Sequence, residues 1–189
     1  MRPLDVVFLG GRRGEWTIER MEAVVGPSLP SASRVHVQEG AVREATSDSA
    51  WILRGVTSNE RYVTRAEREQ LEARQAPLGR RDATRAALIP IRKSAAWWEL
   101  AQDERRQIFE ESSHHVAIGL EYLPAVARRL HHGRDLGEPF DFLTWFEFTP
   151  DAAADFAELV QRLRDTEEWH YVEREIDIRL AREGGSGRS

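Results

Sequence analysis

The sequence predicts an α+β fold: a ferredoxin-like βαββαβ unit, with helices packed on an antiparallel sheet, preceded by a shorter set of strands that reads as a truncated N-terminal copy of the same unit. Three observations predict it. From Thr84 onward, stretches in which apolar and polar side chains alternate take turns with stretches of helical period, in the order strand, helices, strand, strand, helix, strand. Phe140–Phe148 carries phenylalanine at 140, 142, 146 and 148, a strand with one aromatic face. Thr149-Pro150 follows directly, a hydroxyl cap and then proline at the first helical position, where no N–H is needed.

In chain order, Val6–Gly10 is a short apolar strand and Gly10-Gly11-Arg12-Arg13-Gly14 a turn. The turn is no phosphate loop, because the glycine spacing and the Lys-Ser/Thr ending are missing. Trp16–Val25 is a second strand, and Pro27–Ser33, with its prolines and serines, a loop. Arg34–Val42 and Trp51–Val56 alternate as half-buried strands do. These strands make a small sheet; no internal sequence repeat marks it as a copy of the later unit.

Ser58 or Asn59 caps a charged helix that runs to about Arg74, with Tyr62, Ala66 and Leu71 on its apolar side and Pro77 and Gly79 beyond its end. Thr84–Lys93 is a strand whose Pro90 has no N–H to give, which points to an edge or a bulge. After Trp97-Trp98, Asp103 caps a helix Glu104–Ser113, and Ala125–His132 supplies the next strand. The helix begun at Thr149-Pro150 runs to about Glu168, and Tyr171–Ala181 closes the unit as a strand. The domain organisation is therefore 1–76, the truncated part with its connecting helix; 77–183, the C-terminal unit; and 184–189, a flexible Gly/Ser tail.

Composition excludes several functions. The chain has 189 residues, 27 Lys+Arg against 32 Asp+Glu, and no cysteine. The net charge of −5 and the lack of a basic block argue against a nucleic-acid partner. Without cysteine there are no disulfides, thiolate nucleophiles, cysteine zinc sites or iron–sulfur clusters, and no Cys-x-x-Cys-His covalent haem attachment. A metal is left to His, Asp or Glu. No apolar run approaches membrane-spanning length, so no membrane partner is expected. No basic-then-apolar signal opens the chain, so the expected location is cytoplasmic, or periplasmic if a signal was removed.

The chemistry concentrates between Ser112 and Leu130. Successive helical residues lie about 100° apart, so His114 and His115 face different sides. His114 shares its side with Glu110, Glu111 and Glu121; His115 shares its side with Ile108, Gly119 and Tyr122. Gly119, one turn on, leaves an open floor beside His115 where a flat ligand can lie; a buried, hydrogen-bonded histidine over a packing glycine fits the same pattern. Pro124 ends or kinks the helix. Beyond it, Val126, Arg128 and Leu130 share one strand face and Ala127, Arg129 and His131 the other. An arginine between Val and Leu on one face implies an anion, a cofactor edge or a carboxylate near it, or a salt bridge to one of the many acidic residues.

Beyond these readings, the residues resemble a known family. The run from Ala83 through Leu88-Ile89-Pro90-Ile91-Arg92-Lys93 to Trp97-Trp98, the pair His114-His115, Tyr122-Leu123-Pro124, the stretch Gly137-Glu138-Pro139-Phe140 to Glu147, and Thr166-Glu167-Glu168-Trp169 are similar to the chlorite dismutase family. The resemblance covers about residues 58 to 182, and the short N-terminal part resembles that family's compact, dimeric branch. It implies haem b as cofactor, a homodimer, and conversion of chlorite to chloride and dioxygen. Residue by residue, it implies His115 as the proximal iron ligand, Glu168 as acceptor of that histidine's second N–H, and Lys93 as the lysine completing the network. It implies Arg128 as the distal arginine, Trp97 beside the haem with Trp98 its neighbour, and Gln75 as a distal-side glutamine. Arg128 also speaks against the coproheme decarboxylases, which share the fold but differ there.

The implied reaction passes an oxygen from chlorite to iron, leaving a ferryl species and hypochlorite, which Arg128 holds until the O–O bond forms. A peroxidase-like haem protein or a haem carrier or sensor of the same fold is the alternative. A dimeric α+β protein without haem, with His115 and Arg128 structural, is a third.

Overall fold

The computed structural model describes residues 3–40, 48–57 and 62–183. Its strands are β1 (Asp5–Gly11), β2 (Trp16–Val25), β3 (Arg34–Glu39), β4 (Ser49–Val56), β5 (Arg85–Lys93), β6 (Val126–His132), β7 (Phe142–Phe148) and β8 (Val172–Ala181). The helices are α1 (Arg65–Arg74), α2 (Ala95–Glu99), α3 (Gln102–Arg106), α4 (His115–Tyr122) and α5 (Ala153–Arg164), with a π-helical stretch Gln107–Ser112 after α3 and a 3-10 turn Glu167–Tyr171 after α5.

The strands join in one closed barrel in the order β1-β3-β2-β8-β5-β7-β6-β4, every pair antiparallel. This corrects the expected pair of sheets. The early strands do not form a sheet of their own; β2 pairs with β8 from Thr17↔Ala181 to Val25↔Glu175, and β4 returns to β6 at Val56↔His132. Closure removes the free edges that an open sheet would present.

Side-chain alternation then sorts the core into two. Inward-facing Val6, Phe8, Leu53, Leu88, Leu143, Trp145, Ile176 and Ile178 fill the barrel. Gly10 on β1 belongs to this packing, since a Cβ there would meet the Trp51 ring at 1.9 Å. The opposite faces of β5, β6 and β7 present Ala87, Ile89, Ile91, Val126, Phe146 and Phe148 to α5, whose Phe156, Leu159, Val160 and Leu163 recur at helical spacing. Each such side chain taken from water contributes roughly 1.5–3 kcal/mol. Because β5 is covered on both faces, Ala86 to Ile91 is buried without interruption.

Several expected boundaries shift. β5 lies between β7 and β8, so Pro90 sits on neither an edge strand nor a register bulge. Its pairing with β8 passes from Leu88↔Ile178 to Ile91↔Glu175 in one register, and the missing N–H is absorbed inside the ladder. The expected caps Ser58 and Asn59 lie outside the described residues, as do Val42 and the 184–189 tail. α1 starts at Arg65, where Thr64 Oγ1 accepts from Glu67 N at 3.3 Å and Glu67 Oε2 accepts from Thr64 N at 2.7 Å, a reciprocal capping box.

α3 starts before Asp103: Glu104 Oε2 accepts from Ala101 N at 2.7 Å. The helix expected through the histidine pair is broken at His114, which has a left-handed φ of 54°. The two histidines therefore do not share one continuous helix. α5 ends at Arg164, so Glu168 stands on the following 3-10 turn, and Phe140 precedes β7 and packs inside the barrel instead of joining the aromatic face.

Candidate functional site

α4 begins at His115, and its first turn is anchored by Glu110, whose Oε2 accepts from Val116 N at 2.6 Å. A carboxylate there satisfies backbone donors that a helix start leaves unpaired. The anchor fixes the His115 ring over the outer face of β5–β7. Nδ1 of His115 lies 2.7 Å from Glu168 Oε2. Lys93, at the end of β5, donates from Nζ to Glu168 Oε1 at 2.8 Å and to Glu168 O at 3.3 Å. Ser113 Oγ accepts from Glu168 N at 3.0 Å, so the turn carrying the carboxylate is tied to the residues just before His115.

The Lys93 and Glu168 side chains are 3% and 6% exposed, against 28% for His115. The ion pair is thus buried while the imidazole remains accessible. Burial alone would push the Glu168 carboxyl up. The Lys93 ammonium, then His115 and the hydrogen bonds of both, outweigh it and hold the group down at about 2. An ionised Glu168 can accept only, so Nδ1 of His115 carries the proton and Nε2 is the nitrogen left for a ligand.

That nitrogen belongs to a cavity of about 1210 Å³, counting the part open to solvent. Its walls are mainly apolar, with Ile89, Ile91, Val126, Leu130, Phe142 and Phe146 from the sheet and Leu71, Phe109 and Leu159 from the helices. Cavities of this kind, apolar with few polar groups, hold large or hydrophobic ligands. Lys93, Trp97, His115, Arg128 and Glu168 all line it. β6 presents Val126, Arg128, Leu130 and His132 to the cavity, as the shared strand face predicts, while Ala127 and His131 are buried on the barrel side. Pro124 lies between α4 and β6, and that break lets two stretches of one chain line one cavity.

Two predicted residues do not line the cavity. Gln75, just past α1, reaches it through the backbone: its Nε2 donates to Arg128 O at 2.8 Å. Trp98 sits behind Phe142 with ring centroids 6.1 Å apart; its Nε1 donates to Asp141 Oδ2 at 3.2 Å, the oxygen that also receives Lys93 N at 2.7 Å. Sequence reasoning did not single out Phe109, Ser113, Trp169 or Glu175. Phe109 lies nearly parallel to the His115 ring at 4.4 Å and 23°, and Trp169 at 6.4 Å and 18°. Their positions beside Ser112–His115 and Glu168 were the only signals available.

The residues present fit a haem. Among the described residues no group of three or more His, Cys, Asp or Glu could hold a bare metal ion. A metal on His115 therefore has to bring its other ligands with it, as a porphyrin iron does. Gly119 leaves room for the ring, since a Cβ built there meets nothing within 4 Å. Trp97, 1% exposed on the cavity wall, has a buried Nε1 with no partner among the described residues, a donor left for a ligand's polar edge.

Fold and site together define an α+β barrel protein with a large, mainly apolar cavity between its sheet and its helices, lined by a histidine whose other ring nitrogen is held by a buried carboxylate. The family model for chlorite dismutase matches residues 33–183, and the chain belongs to that family. Among solved structures it is similar to the dimeric chlorite dismutase from Nitrobacter winogradskyi, at 60% identity and a TM-score of 0.86, covering 94% of this chain and 99% of that one. A mutant chlorite dismutase from Candidatus Nitrospira defluvii shares the fold, with a TM-score of 0.64 at 18% identity over 95% of this chain and 91% of that one. The curated chlorite dismutase of Ideonella dechloratans is 39% identical over 67 residues, 35% of this chain and 22% of that protein, so the match spans about a fifth of the relative's length.

Proposed function

We propose that this chain is a haem b enzyme that converts chlorite to chloride and dioxygen, and that it works as a homodimer. The observation that carries the reading is the buried Lys93–Glu168–His115 chain opening on the same cavity as Arg128. When bound, haem supplies the iron at which chlorite gives up oxygen. His115 binds that iron through Nε2, and Glu168 takes the Nδ1–H, fixes the ring plane and raises the ring's basicity. Lys93 keeps Glu168 ionised. Arg128 stays charged and forks its donors to oxyanions, so it would orient chlorite and keep chlorine oxyanions inside the cavity while the reaction completes. Gln75 steadies the β6 backbone that carries Arg128, Trp97 offers its N–H to the cofactor's edge, and Trp98 acts behind them through Asp141. The apolar walls exclude water.

The finer domain reading belongs to the same proposal. The order β8-β5-β7-β6 is the 4-1-3-2 order of a βαββαβ unit, and β4-β1-β3-β2 repeats it with no helix among the described residues between its strands. This supports a ferredoxin-like unit over 77–183 and a truncated one within 1–76, sharing one barrel. The similarity to a dimeric chlorite dismutase supports the homodimer. A cytoplasmic location stays part of the proposal.

An oxygen electrode tests the function. Haem-loaded protein given chlorite is expected to evolve one O₂ per chlorite, and Arg128→Ala to keep its haem while turnover falls by at least about tenfold or the haem bleaches faster. Haem-replete protein that evolves no oxygen points to the peroxidase-like or carrier reading. An Arg128→Ala enzyme with unchanged rate and lifetime removes Arg128 from the mechanism.

A further inference from the structure

We infer that Glu175, held by Arg164 and acting through the indole N–H of Trp169, is a positioning residue for the His115 imidazole. The inference rests on the reading of His115 as the haem ligand and extends it by a second buried carboxylate. Glu175 stands on the outer face of β8, where it is fully buried and lines the cavity. Both of its oxygens are committed. Oε1 accepts from Arg164 Nε at 2.9 Å and Nη2 at 2.6 Å, and Oε2 accepts from Trp169 Nε1 at 2.7 Å. Each oxygen thus has a partner in the protein, and the contact that links Glu175 to the His115 side of the cavity runs through Trp169.

Trp169 touches two members of the site. Its ring lies nearly parallel to that of His115, 18° apart at 6.4 Å, and the Lys93 ammonium stands 5.4 Å from its ring centre. A ring that is only packed can slide and tilt in its slot; a ring whose N–H is pinned to a buried carboxylate cannot. Pinning matters here because Glu168 grips His115 at Nδ1 alone, which leaves rotation about that hydrogen bond to be limited by the neighbouring rings. A buried carboxylate and guanidinium cost more solvation than apolar residues of the same size, so mere packing does not account for Glu175.

The barrel supplies an internal comparison: Trp145 Nε1 donates to Glu147 Oε1 at 2.9 Å, a bond of the same kind between residues that do not line the cavity.

The test uses full-length, haem-loaded protein with two readouts, the rate of haem transfer to an excess of apomyoglobin and the electron paramagnetic resonance spectrum of the ferric form. Trp169→Phe keeps an aromatic ring and deletes the N–H; Glu175→Gln keeps the shape; Trp145→Phe removes the comparison bond. Trp169→Phe and Glu175→Gln are each expected to speed haem transfer about tenfold and to broaden the high-spin signal, as loss of a group supporting an axial ligand does. The double variant should add nothing, because both act through one bond. Trp145→Phe should melt earlier with both haem readouts unchanged.

A Trp169→Phe protein with wild-type spectrum and a transfer rate within about twofold overturns the inference, and so does a Trp145→Phe protein with the same changes as Trp169→Phe. Should Glu175→Gln not fold, Trp169→Phe decides alone. His115→Ala separates the two readings. If it holds haem as tightly as the wild type, the ligand assignment fails and this inference with it; if it loses haem while Trp169→Phe behaves as wild type, only this inference fails.

Discussion

His115 and His131 stand on opposite sides of the same sheet and are held in opposite ways. His131 is fully buried inside the barrel, where Nδ1 donates to Leu143 O at 2.9 Å and Nε2 accepts from Arg129 Nε at 3.2 Å. Both nitrogens are spent on the protein. Burial first, then the Arg129 charge, outweighs the Leu143 carbonyl and pushes its pKa down to about 4. His115 spends one nitrogen, on a carboxylate, and turns the other toward a cavity. The difference teaches what separates a structural histidine from the proposed ligand: the count of ring nitrogens left over, and whether the partner is a neutral carbonyl or an ionised acid that enriches the ring.

The largest expected effect tests the ligand side of that comparison. His115→Ala should bind haem at least about 100-fold more weakly and show no Soret band after loading and gel filtration, while His131→Ala should destabilise the apo fold without abolishing haem uptake. Equal haem uptake by His115→Ala would erase the distinction.

The next effect tests the structural side. Because the folded-state pKa of His131 lies below its unfolded value of 6.5, the unfolded chain binds the extra proton between those values, and stability is lost as pH falls from 6.5 through about 4. The loss amounts to at most roughly 3.5 kcal/mol, about 1.4 kcal/mol per pKa unit. His131→Asn, which can still donate to Leu143 O, should flatten that part of the urea-midpoint profile. An identical profile in both proteins would show that other groups set the acid limit.

The smallest effect sharpens the comparison without touching either ring. Gly119 lies within α4, and an added Cβ meets nothing within 4 Å among the described residues beyond its own helix. Gly119→Ala should raise apo stability by about 0.4–1 kcal/mol, as Gly-to-Ala changes do at unstrained helical positions. The same methyl enters the space a flat ligand needs, so haem uptake should weaken by a few-fold. A variant that melts higher and binds haem as well as the wild type would show that the floor beside His115 is not used.

The parts legible in the sequence share a physical character. β2 runs from Trp16 to Val25 as expected, although alternation supports only its first residues and the Glu/Met/Ala part is ambiguous by pattern; the even-numbered face of β6 lines the cavity, because a strand's period of two is a local property. Thr64 and Glu67 carried a legible signal as well, Thr-x-x-Glu, but Ser58 and Asn59 are also good caps, and only packing chooses among competing local starts. The length of α5 was overestimated because Asp165 and Thr166 do not forbid a helix; Arg164 instead turns onto Glu175 and Asp177, and the chain breaks there.

By itself the sequence determined most element types and the absence of any cysteine chemistry, since each follows from residue identity and short-range periodicity; the contrast between His114 and His115 was drawn on one continuous helix, which the structure breaks at His114. The family resemblance carried the roles of Glu168, Lys93 and Arg128. Only the tertiary structure decided that eight strands close into one barrel, that Glu168 meets a histidine 53 positions earlier at 2.7 Å, and that Glu175 and Trp169 stand behind that pair. The reason is that strand pairing and buried charge pairing are settled by long-range geometry. A strand's pattern says which face is apolar and not which neighbour it will find, and a carboxylate's partner is whichever cation the closed barrel brings within reach.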